Sequence, residues 1–472
     1  MKKYEIDMCH GPLVSKILHF ALPLMATYIL QLLFNAVDLV VIGQYAHYDA
    51  MAAIGATMNF NSLVVNVFIG LSIGANCVIS RFYGAKDFVN LKKAVQTTMT
   101  ISWIGGLVLM VIALLIAKTV LRWMGTPENI LSLSCTYIWI CFAAIPFIML
   151  YNFGCAILRA VGDTKRPMYY LIFAGIVNVV LNLFLVKTFK MDVAGVAIAT
   201  FVSHLISALL VVRTLLKTND CYKFYIKEFF IDFDILKSML NFGIPASIQS
   251  ASFSIANMLI QSSINSFGPA AIAGITAALG LEGIIYVANY SFHQTAITFI
   301  SQNMGGRKYK RMLKVIYLTY LFSTVTCLFL GWGTFLLGKQ LLSIFNPNLE
   351  VIEWGLVRMK VVFTTFFLVG FLDTGGGILR GLGYSMYSTV NSIMGACVFR
   401  VIWVLLVFPH FRSMEVLLLS YPISWFLVGL INGVSISFLY RKIVREKCSR
   451  ITLFSKHIFY LPRGLRFLGG PK

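Results

Sequence analysis

Apolar residues in this chain come in long unbroken runs, not in the alternation of a half-buried strand or the narrow stripe of a soluble helix. A helix needs about 20 apolar residues to cross a bilayer, more when it tilts. Runs bounded by charges, Gly, Pro and Asn reach that length twelve times, at 13–43, 50–80, 93–118, 130–158, 167–186, 193–212, 238–265, 270–300, 312–337, 354–379, 387–409 and 414–440. The first run is about twice the length of a signal-peptide core and no small-residue cleavage site follows it, so it is expected to stay as a membrane helix. The predicted fold class is an all-α integral membrane protein with twelve transmembrane helices.

Where the charges fall between these runs orients them. With the N-terminus on the inside, most of the 39 Lys and Arg lie in inside segments, while the outside loops hold Lys118, Arg122, Lys187, Lys190, Lys339, Arg358, Lys360 and Arg412. The positive-inside rule then puts both termini in the cytoplasm, with the plasma membrane as the expected location. The pattern also repeats. HFALP at His19–Pro23 returns as NFGIP at Asn241–Pro245, SRFYGAK at Ser80–Lys86 as SQNMGGR at Ser301–Arg307, and ILRAVG at Ile157–Gly162 as ILRGLG at Ile378–Gly383, all at nearly one spacing. Duplicated halves enclosing a site between them are a common transporter plan. Six crossings per half, an even number, insert both halves the same way up. The expected domains are an N-terminal lobe at 1–212, a cytoplasmic linker at 213–237, a C-terminal lobe at 238–440 and a basic cytoplasmic tail at 441–472.

Composition narrows the function classes. With 58% hydrophobic and 12% charged residues and a mean hydropathy of +0.82, the chain is far from the soluble average. The net charge of +21 is spread over short loops and not over one face of a soluble module, which argues against nucleic acid. Nine cysteines are scattered, with no CxxC and no metal-ligand spacing, so neither disulfides nor a metal centre is expected. HExxH, GxSxG and paired aspartates on facing helices are all missing, so the chain is not read as an enzyme.

The candidate chemistry begins in the first run, FALPLMATYILQLLFNAVDLVVIG, which carries one acid, Asp38, and a proline, Pro23, near its entry. An ionisable side chain at membrane depth is a functional candidate by default, and a proline in a membrane helix makes a local bend. Asp38 shares its half with no basic residue inside the predicted spans, so it is disposed to take a mobile cation; a structural role, tied to Asn178 or Asn182, stays open. Asn178 and Asn182 are four apart and share a helix face. Asn35, three before Asp38, returns as Asn257 in the second half and is read as a packing residue. In that half Glu282, Asp373 and Arg400 fall within predicted helices, and a salt bridge from Arg400 to one of the two acids is expected. The plentiful Phe, Tyr and Met would suit a cavity for lipophilic cations.

These motifs, FNAVDLVVIG, LRAVGDTKRPMYY at Leu158–Tyr170, and NVVLN followed by AGVAIAT at Ala194–Thr200, resemble the multidrug and toxic compound extrusion (MATE) transporters of the MOP flippase superfamily. The resemblance runs from Gly11 to the end of the twelfth helix. It implies a V-shaped pair of six-helix lobes (the MATE fold) and a secondary antiporter exporting cationic or amphiphilic drugs by alternating access, driven by inward proton or sodium flow. It further implies that the coupling cation is held at Asp38, Asn178, Asn182 and Thr200, sodium being one candidate, with no other cofactor. Asn182 departs from the pattern, since many relatives carry a second aspartate there. Expected partners are small-molecule substrates and membrane lipid, with the chain acting as a monomer. The alternative on the same fold is a flippase for a lipid-linked anionic headgroup, for which Arg400 is the supporting feature.

Overall fold

The structure, a computed structural model, describes residues 4–45 and 48–448. Residues 449–472, most of the expected basic tail, lie outside the described residues. Lipid offers backbone N–H and C=O groups no partner, so apolar runs of this length satisfy themselves as helices. Among the described residues there is no strand.

The twelve spans are α1 (Leu13–Tyr45), α2 (Tyr48–Ala85), α3 (Phe88–Trp123), α4 (Glu128–Ala143 and Ile145–Ala160), α5 (Lys165–Thr188), α6 (Asp192–Lys217), α7 (Phe233–Asn265), α8 (Pro269–Gly305), α9 (Tyr309–Leu336), α10 (Leu349–Phe363 and Phe367–Leu382), α11 (Ser385–Val407) and α12 (Met414–Cys448). Most run several residues past the expected ends, because a charge at the water interface ends an apolar run without ending a helix. Among the described residues α7 is the least apolar span. It carries Gln249, Ser250, Ser252, Ser254, Asn257 and Gln261, and falls short of the hydropathy that the other spans reach singly or as bent pairs.

The repeat is visible in the irregularities. α4 bends by 42° at Ala144, and α10 bends by 53° at the equivalent place in the second half. Pro146 follows the break in α4, but Phe367 stands in its position in α10, where π-helical turns at Met359–Phe363 lead into the bend instead. α5 and α11 likewise pass into π-helical turns at Leu183–Thr188 and Trp403–Val407. Such turns insert one residue into the helical ladder and re-aim the side chains around them.

The first helix of each half belongs to both cores. Ile17, Phe20 and Leu24 at the start of α1 pack with Phe299, Ile300 and Met312 of the C-terminal half, Phe20 and Phe299 meeting edge to face at 5.5 Å. Further along, α1 packs on α5, where Gly175 lets the Phe34 ring lie so close that a Cβ would sit 1.9 Å from it. α7 mirrors this, with Ile235 and Met239 in the N-terminal core and Ile260 and Ile264 in the C-terminal one. Pro23 and Pro245 lie in the first half of each of these crossing helices, both of which remain continuous.

The lobes meet about an approximate two-fold axis on the face that carries the N-terminus. Asn76 donates to Thr298 Oγ1 at 3.2 Å, and the two residues are repeat equivalents, 222 apart. A Cβ on Gly84 would lie 2.0 Å from the Gln302 carbonyl oxygen, and one on Gly305 would lie 2.0 Å from that of Arg81. Arg81 Nη2 donates to the Gly381 carbonyl at 3.2 Å, and Gln302 Nε2 donates to that of Ala160 at 2.6 Å. Each contact is its counterpart with the halves exchanged, as in an isologous dimer. Residues before α1 cross the same seam. The Glu5 carboxylate accepts from Tyr222 at 2.8 Å, while Arg311 donates to the carbonyls of Met8 and Gly11 at 2.8 Å and of His10 at 2.9 Å. This face, which also holds most of the Lys and Arg, is closed.

Candidate functional site

α1 brings Asp38 to the inner side of the N-terminal lobe against α5. Asn182 Nδ2 donates to Asp38 Oδ1 at 2.5 Å and to Asn178 Oδ1 at 3.2 Å, one turn along the same helix face. Asn182 is fully buried and Asn178 nearly so. Asn182 is also the last residue before the π-helical turns of α5, and Gly175, one turn before Asn178, admits Phe34. The local irregularity and the missing side chain together bring the α1 carboxylate within reach of the α5 amides. Among the described residues no Lys, Arg or His nitrogen forms an ion pair with Asp38.

Asn182 Oδ1 is buried and has no hydrogen-bond partner, and the buried hydroxyl of Thr200 on α6 faces the Asp38 carboxylate. Unsatisfied buried polar atoms are rare enough to need an explanation. With Asp38 and Asn178 these two oxygens form a set of hard, neutral or singly charged oxygen donors, which suits a monovalent cation and carries too little charge for a divalent one. The donor set also accommodates a proton on Asp38, the amides then serving as neutral partners. Tyr137 and Cys141 on α4 face the same carboxylate. Sequence reasoning missed both, since a Tyr in an apolar run looks like any lipid-facing aromatic. Asn35, expected to pack, is exposed on α1, and its repeat partner Asn257 is exposed too.

The C-terminal lobe is wired differently from the expectation. Arg400 makes no salt bridge with Glu282 or Asp373. It donates to Ser424 Oγ at 3.0 Å and to Asn257 Oδ1 at 3.4 Å, and lies 4.2 Å from the centre of the Tyr421 ring. Glu282 instead receives Arg358, through Nε at 3.0 Å and Nη2 at 2.7 Å. Arg358, expected in an outside loop, is instead 1% exposed on the first segment of α10, its guanidinium 5.1 Å from the centre of the Tyr421 ring. The nearer cation takes the acid, and Arg400 is left with an aromatic face and two neutral oxygens.

Asp373 has its own network. Asn289 Nδ2 donates to its carboxylate at 3.3 Å, and His293 Nδ1 lies 2.7 Å from its backbone carbonyl. Arg380 Nη1 approaches His293 Nε2 at 3.1 Å, and its Nη2 donates to Gln249 Oε1 at 2.7 Å. A guanidinium only donates, so Nε2 accepts and the imidazole proton sits on Nδ1, directed at the carbonyl. The repeated motif ILRGLG, which marks the duplication, also carries the signal for Arg380. Among the described residues no three His, Cys, Asp or Glu side chains are grouped as a metal site would need.

Comparison with known proteins agrees with the two-lobed helical fold. The family model MatE matches residues 23–184 and again 245–406, one copy per half. The probable multidrug resistance protein YoeA of Bacillus subtilis (strain 168) is 28% identical over 417 residues, spanning 84% of this chain and 87% of that protein. The multidrug export protein MepA of Staphylococcus aureus (strain MSSA476) is 23% identical over 400 residues, with 84% and 88% covered. A MATE crystal structure in a bent conformation superposes with a TM-score of 0.86 at 20% identity over 93% of this chain and 98% of that one. A MOP superfamily transporter from Pyrococcus furiosus, described as having a binding pocket of reverse polarity, gives 0.82 at 21% identity over 95% and 98%.

Proposed function

The chain belongs to the MatE family of multi-pass membrane transporters, and from that premise we propose that it exports amphiphilic, predominantly cationic compounds in exchange for a monovalent cation bound at Asp38. The two termini are cytoplasmic in this reading, the membrane is the plasma membrane, and the closed basic face is the cytoplasmic one. One observation carries the proposal: a half-buried carboxylate with no fixed counter-ion sits beside a buried amide oxygen that lacks a partner and a buried hydroxyl.

Exchange follows from what α1 connects. Its second half holds Asp38 against α5, and its first half packs in the opposite lobe. A proton or sodium ion arriving at Asp38 changes which amide atoms of Asn182 face it: Nδ2 donates to the bare carboxylate, whereas a bound sodium ion calls for Oδ1. Either ion alters the α1–α5 contact, and because α1 crosses the lobe seam, the change reaches the interface. An ion can drive such a shift only through different affinity for the two arrangements, and a half-buried acid released to water on one side supplies that difference. MATE relatives have been crystallised in bent and in straight conformations, and Pro23 is the residue at which we place the corresponding bend in α1.

The test is efflux of a fluorescent cationic dye from proteoliposomes under separately imposed proton and sodium gradients. The gradient that drives export in the unmodified protein identifies the ion, and Asp38→Asn is expected to abolish the response to it. Undiminished gradient-driven export by that variant would remove Asp38 from the mechanism. The proposal does not extend to a lipid-linked anionic cargo, because the Arg400 charge is engaged inside the bundle by Tyr421, Ser424 and Asn257.

A further inference from the structure

On the basic face, away from the Asp38 site, the ends of α5 and α6 enclose a cleft of about 590 Å³. Its walls carry three cations, Arg166, Arg213 and Lys217, against one acid, Asp220, beside Tyr4, Tyr170 and Tyr222. Arg166 is partly committed, pairing with Asp163 and donating through Nη2 to Tyr222 at 3.1 Å. Arg213 and Lys217 are exposed, and among the described residues neither forms an ion pair. They stand four apart on α6, so their like charges face each other along one side of the helix, an arrangement that is unfavourable until an anion comes between them.

We propose that this cleft binds the phosphate of a net-negative lipid headgroup from the adjoining leaflet. Basic pockets between helix ends at a membrane surface suit phosphodiester headgroups, which present several acceptor oxygens to Arg and Lys at once. A helix C-terminus alone accounts for cations near Lys217. It does not account for a concave site that adds Arg166 from another helix and tyrosines at headgroup level. The source is membrane lipid and not a soluble phosphate ester because the cleft opens onto apolar surface: Leu210 forms part of its wall, and Phe173, Ile176 and Val180 follow one another as an exposed stripe along α5, where acyl chains would lie.

The site also has a consequence for the transport cycle. Tyr4 lines the cleft and stacks on Arg166, and Glu5 accepts from Tyr222, so the segment before α1 is anchored at the cleft's rim. The other end of that segment is held by Arg311 and Asn303 of the opposite lobe. A headgroup seated here steadies the strap that crosses the seam and favours the arrangement in which the basic face is closed.

Native mass spectrometry of the purified full-length transporter tests this, with phosphatidylglycerol, phosphatidylcholine and inorganic phosphate titrated in separate arms. The unmodified protein and the charge-conserving R213K/K217R variant are expected to retain one phosphatidylglycerol in preference to phosphatidylcholine. R213Q/K217Q is expected to lose that preference by about thirtyfold, on the scale of one basic residue's attraction for an anionic surface counted twice. If the double variant melts lower than the parent, Lys217→Gln alone carries the comparison, with about a fivefold loss. Equal phosphatidylglycerol preference in parent and Gln variants at unchanged melting would overturn the proposal. Saturation by inorganic phosphate with no lipid preference in the parent would overturn the membrane source.

Discussion

The two lobes are copies in backbone and opposites in charge. Both bend their fourth helix at the same place, carry π-helical turns in their fifth, and send their first helix across the seam. The N-terminal lobe surrounds Asp38 with amides and hydroxyls and gives it no cation. The C-terminal lobe gives Glu282 a two-nitrogen arginine clamp and sets Asp373 among Asn289, His293 and, through the histidine, Arg380. Duplication supplied two equivalent frames, and the side-chain chemistry in them then diverged. An acid with a permanent partner has little to gain from a mobile ion, so the lobe with fewer charges is the one suited to coupling.

The largest expected effect separates the lobes directly. Asp38→Asn removes the group whose ion occupancy, in the proposed mechanism, swings the conformational balance, a swing that requires about 5.5 kcal/mol of differential binding for a near-complete shift. Gradient-driven export is expected to fall to the background of empty vesicles, while Asp373→Asn keeps most of the rate. Equal losses in the two variants would erase the functional distinction between lobes.

Next in size is the cost of breaking the C-terminal charge pair. Arg358→Ala leaves the half-buried Glu282 without its cation, which should cost up to about 3 kcal/mol and appear as a drop in melting temperature. Removing both charges together, as Glu282→Gln with Arg358→Met, is expected to recover most of that loss, since a buried pair contributes little net stability against well-packed neutral residues. Failure of the double variant to recover would mean that the pair does more than neutralise itself. A smaller and deliberately symmetric test addresses what the lobes share. Gly84→Val and Gly305→Val each press a side chain onto the partner lobe's backbone, with a cost of about 1–3 kcal/mol for overpacking. Both should expose cysteines engineered into the closed basic face to a thiol reagent, and to similar extents. Unequal exposure would show that the seam is not functionally two-fold.

The parts of this design legible in the sequence are those that lipid enforces. Twelve helices follow from run lengths because apolar runs of about 20 residues or more satisfy their backbone in a bilayer only as helices, and the repeat followed from short motifs kept at one spacing. Asn178 and Asn182 share a face by helical period alone, and the structure places them beside Asp38. Charge pairing was less legible. Arg358 lies in an apolar run, yet a guanidinium in a string of letters looks like the boundary of a loop, so its clamp on Glu282 went unread and Arg400 was given the acid instead. His293, Arg380 and Tyr137 act through contacts between helices far apart in sequence, and no periodicity within one helix reports which neighbour a side chain will meet.

The smallest expected effect tests whether the N-terminal site is a graded shell around Asp38 or a single contact. Asn182 touches the carboxylate and Asn178 reaches it only through Asn182. Interhelical polar contacts in membranes average about 0.6 kcal/mol and reach about 2. Asn182→Ala also leaves Asp38 without its donor, which puts it at the upper end, about a thirtyfold weaker response to the driving ion. Asn178→Ala sits at the lower end, about threefold. The measure is the ion concentration giving half-maximal dye export, compared at equal protein per vesicle. If Asn178→Ala costs as much as Asn182→Ala, the ion is held by both amides at once and the order of contact seen here belongs to only one state of the cycle. If Asn178→Ala has no effect, the coupling shell is confined to Asp38, Asn182 and Thr200. The contrast between lobes would then rest on one amide donor and one hydroxyl.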